Sequence, residues 1–392
     1  MYLQKDEEQI LNGERGDSLQ KMMEILVTLG KIYDAEYLIP IKSVQIAGVS
    51  YKTIGDAGLE WIEDIDAQVV VPSILNPMGM DRERWREMGI SEDFYRKQIE
   101  ILNVYRRMGI RIECTCTPYY LEDSMPCLGD HLAWSESSAI SFANSVIGAR
   151  TNRESGISAL ASALLGKTPY YGYHLDENRV PTIGVEVPFT LTGSDFGALG
   201  YVIGKVIGDC VPIFEFAPST KPSDDDLKSL GAALAASGAV ALYHVKGRTP
   251  EADRFEMPEE KIVVEEGEIR SVYDGSSEPD LVALGCPHLS IEELELAAEL
   301  LRGRKVKREL WLCVSRYLKG KRADLVGMIE SSGAKVISDT CMIVSPACDR
   351  FDCIMTDSGK ALNYIPTMCQ AEAVFGSFKD CIEVALGEAR DC

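Results

Sequence analysis

"PDLVALGCPHLSIEELELAAELLRG", residues 279–303, decides the fold class. An apolar strand at "LVAL" runs into a loop that carries Cys286, and a helix follows. A buried strand that hands over to a helix is the unit from which parallel α/β sheets are built. The same form recurs downstream. "RELWLCVSRYL" (308–318) is another strand, and "AKVISDTCMIVSP" (334–346) is a strand followed by a loop with Cys341. "CIMTDSGKALNYIPTMC" (353–369) is a strand followed by a polar loop that carries Lys360.

Upstream, strand, loop and helix alternate in the same way. "SLQKMMEILVTLGKIY" (18–33) predicts a helix with Asp17 or Ser18 as its N-cap. "LIPIKSVQIAGVS" (38–50) predicts one strand that ends in a glycine loop. A second strand, Val69 to Val71, precedes a loop with Asn76, Pro77 and Gly79. "SEDFYRKQIEILNVYRRMG" (91–109) is an amphipathic helix capped by Ser91, with Glu92 and Asp93 in its first turn. "IRIECTCTPYYL" (110–121) reads as a short strand entering a cysteine-bearing loop. Small residues and glycine dominate 156–219, as in close-packed helices and turns, and 220–245 repeats helix then strand. The polar segment 257–280 reads as a linker or an exposed hairpin. We expect an α/β protein in subdomains of about 1–155, 156–275 and 276–392.

Composition narrows the function. The 392 residues suffice for a large core, and 46% hydrophobic with 26% charged residues is ordinary for a globular protein. A net charge of −21 argues against nucleic acid and against an acidic membrane surface as partners. An anionic substrate would then need a local cluster of Arg, Lys and backbone N–H groups. The N-terminus has neither the basic nor the apolar segment of a signal peptide, and no apolar run approaches the about 18 residues of a membrane span. A cytoplasmic location is the expectation. Twelve cysteines there suit reduced thiols or metal ligands better than disulfides.

Three of the apolar strands are followed by a cysteine: Cys116 (after Cys114), Cys286 and Cys341. Loops at the C-terminal ends of parallel strands gather around one crevice. Thiolates delivered from separate loops are what an iron–sulfur cluster requires. Three protein ligands would leave one iron free to act as a Lewis acid. Of Cys114 and Cys116, the second lies further into the loop and is the preferred ligand. Spacing leaves another reading open, in which these thiols are small apolar core residues. Cys210, Cys313, Cys348, Cys353, Cys381 and Cys392 read as structural, whereas Cys127 and Cys369 stand near polar loops.

"GDHLAWSESSAISFANSVIGARTNRE" (129–154) mixes polar groups with small residues. Glu136 and Ser137 fall at a helix start, where they can hold a hydroxyl, move a proton or bind an anionic oxygen. Arg150, Asn152 and Arg153 are suited to a carboxylate or phosphate, or else to salt bridges with neighbouring acids. Gly48, Val49 and Ser50 can offer backbone N–H groups and a hydroxyl to an anion, or form an ordinary turn. Asn76 and Pro77 follow a strand, where Asn76 can bond a substrate oxygen. Lys360 can meet a phosphate as a point charge.

Taken together, "TCTPYY", the segment 129–154, "GCPHLS", "SDTC" and "DSGKALNYIP", in that order, resemble the catalytic large component of the aconitase X family over nearly the whole chain. The resemblance implies an aconitase-like α/β fold around a cluster held by Cys116, Cys286 and Cys341. That cluster would be 4Fe-4S, with 2Fe-2S as the lesser alternative. It implies a hydro-lyase whose small swivelling domain is supplied by a partner subunit. The catalytic base in such enzymes is commonly a serine of that swivelling domain. Within the family, the archaeal stand-alone form implies dehydration of (R)-5-phosphomevalonate to trans-anhydromevalonate 5-phosphate, for isoprenoid synthesis. Another branch implies dehydration of cis-3-hydroxy-L-proline, and a cluster-free scaffold subunit is the alternative outside enzymology. The resemblance also marks the loops at Gly48–Ser50 and Asn76–Pro77, together with Glu136, Ser137, Arg150, Asn152, Arg153 and Lys360, as substrate contacts.

Overall fold

A computed structural model describes residues 1–122, 125–273 and 275–388. Cys392 lies outside the described residues. Three parallel sheets carry the architecture, one in each third of the chain. Strands Ser73–Leu75, Val44–Ile46 and Ala133–Trp134 form the first, in that order. His244–Val245, Pro212–Phe216, Ile183–Val187 and Lys261–Val263 form the second. Lys335–Ser338, Glu309–Val314, Leu281–Leu284, Cys353–Thr356 and Glu372–Phe375 form the third. The stretch 279–303 is a strand, a cysteine loop and the helix Ile291–Leu301, whose start Ser290 caps by accepting the Glu293 amide at 3.1 Å. Strand Leu281–Leu284 is buried at every position and lies at the centre of its sheet, which explains its unbroken apolar run.

The helix at 91–109 forms as read. It spans Glu92–Arg107, and Ser91 accepts the Phe94 amide. Five readings need correction. The first long helix spans Asp17–Ile32, so its cap is Gly16 and not Asp17 or Ser18. Residues 38–50 form two strands, because Leu38–Pro40 pairs antiparallel with Lys167–Pro169 while Val44–Ile46 joins the parallel sheet. The second strand begins only after Pro72: Val69 and Val70 give their amides to the carbonyls of Met108 and Ala163 instead of to a ladder. The segment 110–121 has no strand, only a parallel bridge from Leu75 to Cys114. Among the described residues of 257–280 there is no hairpin, since Lys261–Val263 adds a parallel edge to the second sheet and the helix Glu266–Arg270 follows. No helix among the described residues is long and apolar enough to cross a membrane.

Helix Asp195–Ile207 packs on helix Asp224–Gly238, and both contact helix Gly359–Tyr364 of the third sheet's region. The approach is close enough to exclude side chains. A Cβ at Gly238 would meet the carbonyl of Gly204 at 2.2 Å, and one at Gly359 would meet that of Gly197 at 2.1 Å. Backbone against backbone cannot yield as a flexible side chain can. Gly359→Ala is therefore expected to cost about 1–3 kcal/mol of overpacking. It would show as a lower thermal midpoint, and an unchanged midpoint would contradict this packing.

Candidate active site

A cavity of about 240 Å³ opens where the loops of the first and third sheets meet. Cys116, Cys286 and Cys341 line it together with Asn76, Pro77, Ser135, Glu136, Ser137, Lys360 and Tyr364. Each cysteine arrives from a different loop. Cys286 lies two residues past Leu281–Leu284, Cys341 three past Lys335–Ser338, and Cys116 two past the bridge at Cys114. Cys114 is buried away from the cavity, against Arg82 and Asp339.

All three thiols are buried. Burial pushes Cys116 well above the usual thiol range; Glu136 adds to this, while Lys360 opposes it. Burial and the neighbouring Cys341 push Cys286 up to about 12. Burial also raises Cys341, against backbone N–H groups of Val344 and Ile343 that favour its thiolate. Bare thiolates are thus disfavoured here, and a bound cationic group would offset that cost. N–H donors aimed at sulfur suit metal-bound thiolates: the His288 amide donates to Cys116 Sγ at 3.2 Å. Among the described residues, no group of three or more His, Cys, Asp or Glu is disposed to hold a single metal ion. Three thiols brought from separate loops to one cavity, with an N–H aimed at one of them, are a donor set that would fit an iron–sulfur group. Cys313 is fully buried on strand Glu309–Val314, close enough to interact with all three thiols but not lining the cavity.

Opposite the thiols stands a buried ion pair. Glu136 caps the short helix Ser137–Phe142 through the Ala139 amide at 2.8 Å, and Ser138 Oγ donates to it at 2.5 Å. Lys360, on helix Gly359–Tyr364, closes the pair with Glu136 and also donates to Ser137 Oγ at 3.3 Å. Burial pushes Glu136 up, but the charge and hydrogen bond of Lys360, with Ser138 and the Ala139 amide, outweigh it and hold the carboxyl below its ordinary range. Lys360 is pushed the other way, raised by Glu136 against its own burial, so it stays a cation. The side-chain oxygen of Asn76 is buried without a partner among the described residues, an acceptor left for whatever enters the cavity.

The remaining residues singled out in the sequence do not line this cavity. Arg150 pairs with Asp176 and donates to the His174 carbonyl at 2.8 Å. The Asn152 amide is used on both sides, donating to the Tyr171 carbonyl at 3.0 Å and accepting the Tyr173 amide at 2.8 Å. Arg153 is exposed and donates to the Ala239 carbonyl at 3.2 Å. The Val49 carbonyl is taken by Gln98, and Ser50 Oγ donates to the Val344 carbonyl at 3.0 Å, which ties that loop to the one that carries Cys341. Gly48, with φ +74, lines a different and more apolar cavity with Trp61 and Ile157. A larger groove of about 500 Å³ near Tyr120 and Ser290 has no thiol, and its Arg248 and Lys321 are paired with Asp224 and Glu122.

Sequence reading missed two groups. His288 stands in the quoted motif but drew no notice, because its contacts are with other loops. The Asp339 carboxylate is fully buried, with φ +67. It accepts Arg82 Nε at 2.8 Å and Arg316 Nε at 2.9 Å, just before Cys341.

The ion pair has a testable pH signature. Because the native carboxyl of Glu136 titrates below its unfolded value of about 4.3, its stabilisation is complete above that value and is lost as pH falls through the native one. Lys360→Met removes the cation and leaves burial to push Glu136 up. The variant is expected to lose about 3–5 kcal/mol at neutral pH. The deficit should shrink towards about pH 5, where Glu136 can take up a proton. Thermal midpoints measured at both pH values check this, and an equal deficit at each would contradict it.

Comparison with known proteins agrees across the chain. Residues 1–177, 181–274 and 279–387 match family models described as the first, second and third domains of aconitase X. A phosphomevalonate dehydratase large subunit from Methanosarcina mazei is 60% identical, covering 99% of this chain and 98% of that one. Its counterpart from Methanothermobacter thermautotrophicus is 51% identical over 97% and 98%. The crystal structure of Thermococcus kodakaraensis aconitase X in its holo-form superposes with a TM-score of 0.90 at 45% identity, covering 98% of this chain and 100% of that one. The chain belongs to the aconitase X family.

Proposed function

We propose that this chain is the large subunit of an iron–sulfur hydro-lyase that removes water from (R)-5-phosphomevalonate to give trans-anhydromevalonate 5-phosphate. The observation that carries this reading is the 60% identity, end to end, with a phosphomevalonate dehydratase large subunit, together with three thiols on one cavity. Cys116, Cys286 and Cys341 would hold a 4Fe-4S cluster, since three ligands leave one position open. Bound there, the cluster supplies a Lewis acid for the departing hydroxyl.

This chain's own residues bind and orient. Lys360 keeps a positive charge at the cavity wall of a strongly acidic protein, where an anionic substrate group needs one. Glu136 fixes that ammonium, and Ser137 Oγ, in reach of both, presents a hydroxyl to the substrate. Asn76 Oδ1 accepts a substrate hydroxyl. Glu136 is a weak base, because it is held ionised by Lys360, Ser138 and the Ala139 amide. The likeness to aconitase-like enzymes implies that a group of the small swivelling-domain subunit abstracts the carbon-bound proton, a role that an ionised Glu136 fills poorly.

The test is turnover of (R)-5-phosphomevalonate by the chain co-expressed with its small partner and reconstituted anaerobically with iron and sulfide. The expected product is lighter by one water. A loaded cluster without product would overturn the substrate and turn the assay to cis-3-hydroxy-L-proline. For the ligands, Cys116→Ser, Cys286→Ser and Cys341→Ser are each expected to lose iron, while Cys313→Ser keeps it. Equal iron content in all four would remove the ligand set.

A further inference from the structure

His288 lies two residues past Cys286, is fully buried and does not line the cavity, yet it bonds to the loops of the other two cysteines. Its backbone N–H donates to Cys116 Sγ at 3.2 Å. Its Nδ1 is 3.0 Å from the hydroxyl of Thr115, the residue before Cys116. Its Nε2 is 3.0 Å from the carbonyl of Thr340, the residue before Cys341.

The partners fix where the protons sit. A carbonyl only accepts, so Nε2 carries the hydrogen. Nδ1 is then the acceptor, and the Thr115 hydroxyl gives its single proton to it. Thr115 Oγ1 also accepts the Thr117 amide at 3.1 Å and lies 3.1 Å from Thr117 Oγ1, so the Thr117 hydroxyl must donate as well. Donors therefore run one way, from Thr117 through Thr115 and the imidazole to Thr340. Every bond has one assignment, and the ring can turn neither way without losing two of them.

We propose that His288 is a positioning residue, a clasp that sets the three cysteine loops at the mutual distance at which their sulfurs share one cluster. This rests on the cluster reading above. The imidazole joins all three loops: it belongs to the Cys286 loop and grips the residue before each of the other two cysteines. Side chains that orient metal ligands typically change metal affinity about 10- to 100-fold when removed.

The test uses the large–small complex, reconstituted anaerobically with iron and sulfide. His288→Leu removes both ring contacts. His288→Gln can still donate to Thr340 from the Nε2 position but offers Thr115 no acceptor at Nδ1. Thr115→Val keeps the ring and removes its donor. Iron loss to a chelator is expected to be about 10- to 100-fold faster in His288→Leu, with smaller and similar increases in the other two. The EPR spectrum of the cluster should shift in all three. His288→Gln and Thr115→Val both break the bond between Thr115 and Nδ1, and Thr115→Val also removes the acceptor of the Thr117 amide, so the double variant should lose iron no faster than Thr115→Val alone. Should His288→Leu fold poorly, Thr115→Val and His288→Gln decide the matter. Iron retention and spectra equal to the parent's in both would overturn the clasp. A parent complex that takes up no iron would overturn the cluster reading itself, and the clasp with it.

Discussion

The buried contact between Lys360 and Glu136 is the interaction on which the site depends. A charge removed from water is tolerated only beside its opposite, and these two lie 224 residues apart in the chain. Glu136 follows the short strand Ala133–Trp134 of the first sheet, and Lys360 opens the helix after Cys353–Thr356 of the third. Neither can be buried alone, so the two regions must close on one another for either to be stable. The cavity with its three thiols is what that closure encloses.

A second ion-pair lattice works on the same seam. Asp339 holds Arg82 and Arg316, and Asp81 accepts Arg316 at 2.8 Å and the Ser338 amide at 2.9 Å. The Asp339 carbonyl also takes the Met78 amide at 2.8 Å. The loop of Asn76 and Pro77 and the loop of Cys341 are thereby fastened side by side. Charges that would be costly singly become rigid spacers once each carboxylate is saturated.

Much of this was legible in the chain because it is locally encoded. A strand buried on both faces must be apolar throughout, and 281–284 is. Ser91 with acids behind it marks a helix start whatever lies around it. The cysteines after strands pointed to one crevice because parallel strands place their following loops at one end. What failed depends on distant partners. Val69 to Val71 looks like a strand, but its amides are claimed by helix ends that no local pattern announces. Arg150 and Asn152 carry the chemistry of an anion site, yet neighbouring carbonyls, an amide and Asp176 had already engaged them. A residue's type shows what it can bind and not what it is already holding. His288 was hidden for the converse reason, since its importance lies wholly in contacts with residues far away in sequence.

The middle region, 181–274, contributes no side chain to the cavity among the described residues. Yet the helix that carries Lys360 rests on it where Gly359 meets Gly197, at a separation that admits no Cβ on Gly359. That region therefore works as a shim. Its thickness at one bare point of backbone sets how far the ammonium reaches across the cavity. The geometry of the charged wall is thus written partly in a part of the protein that never touches what the wall binds.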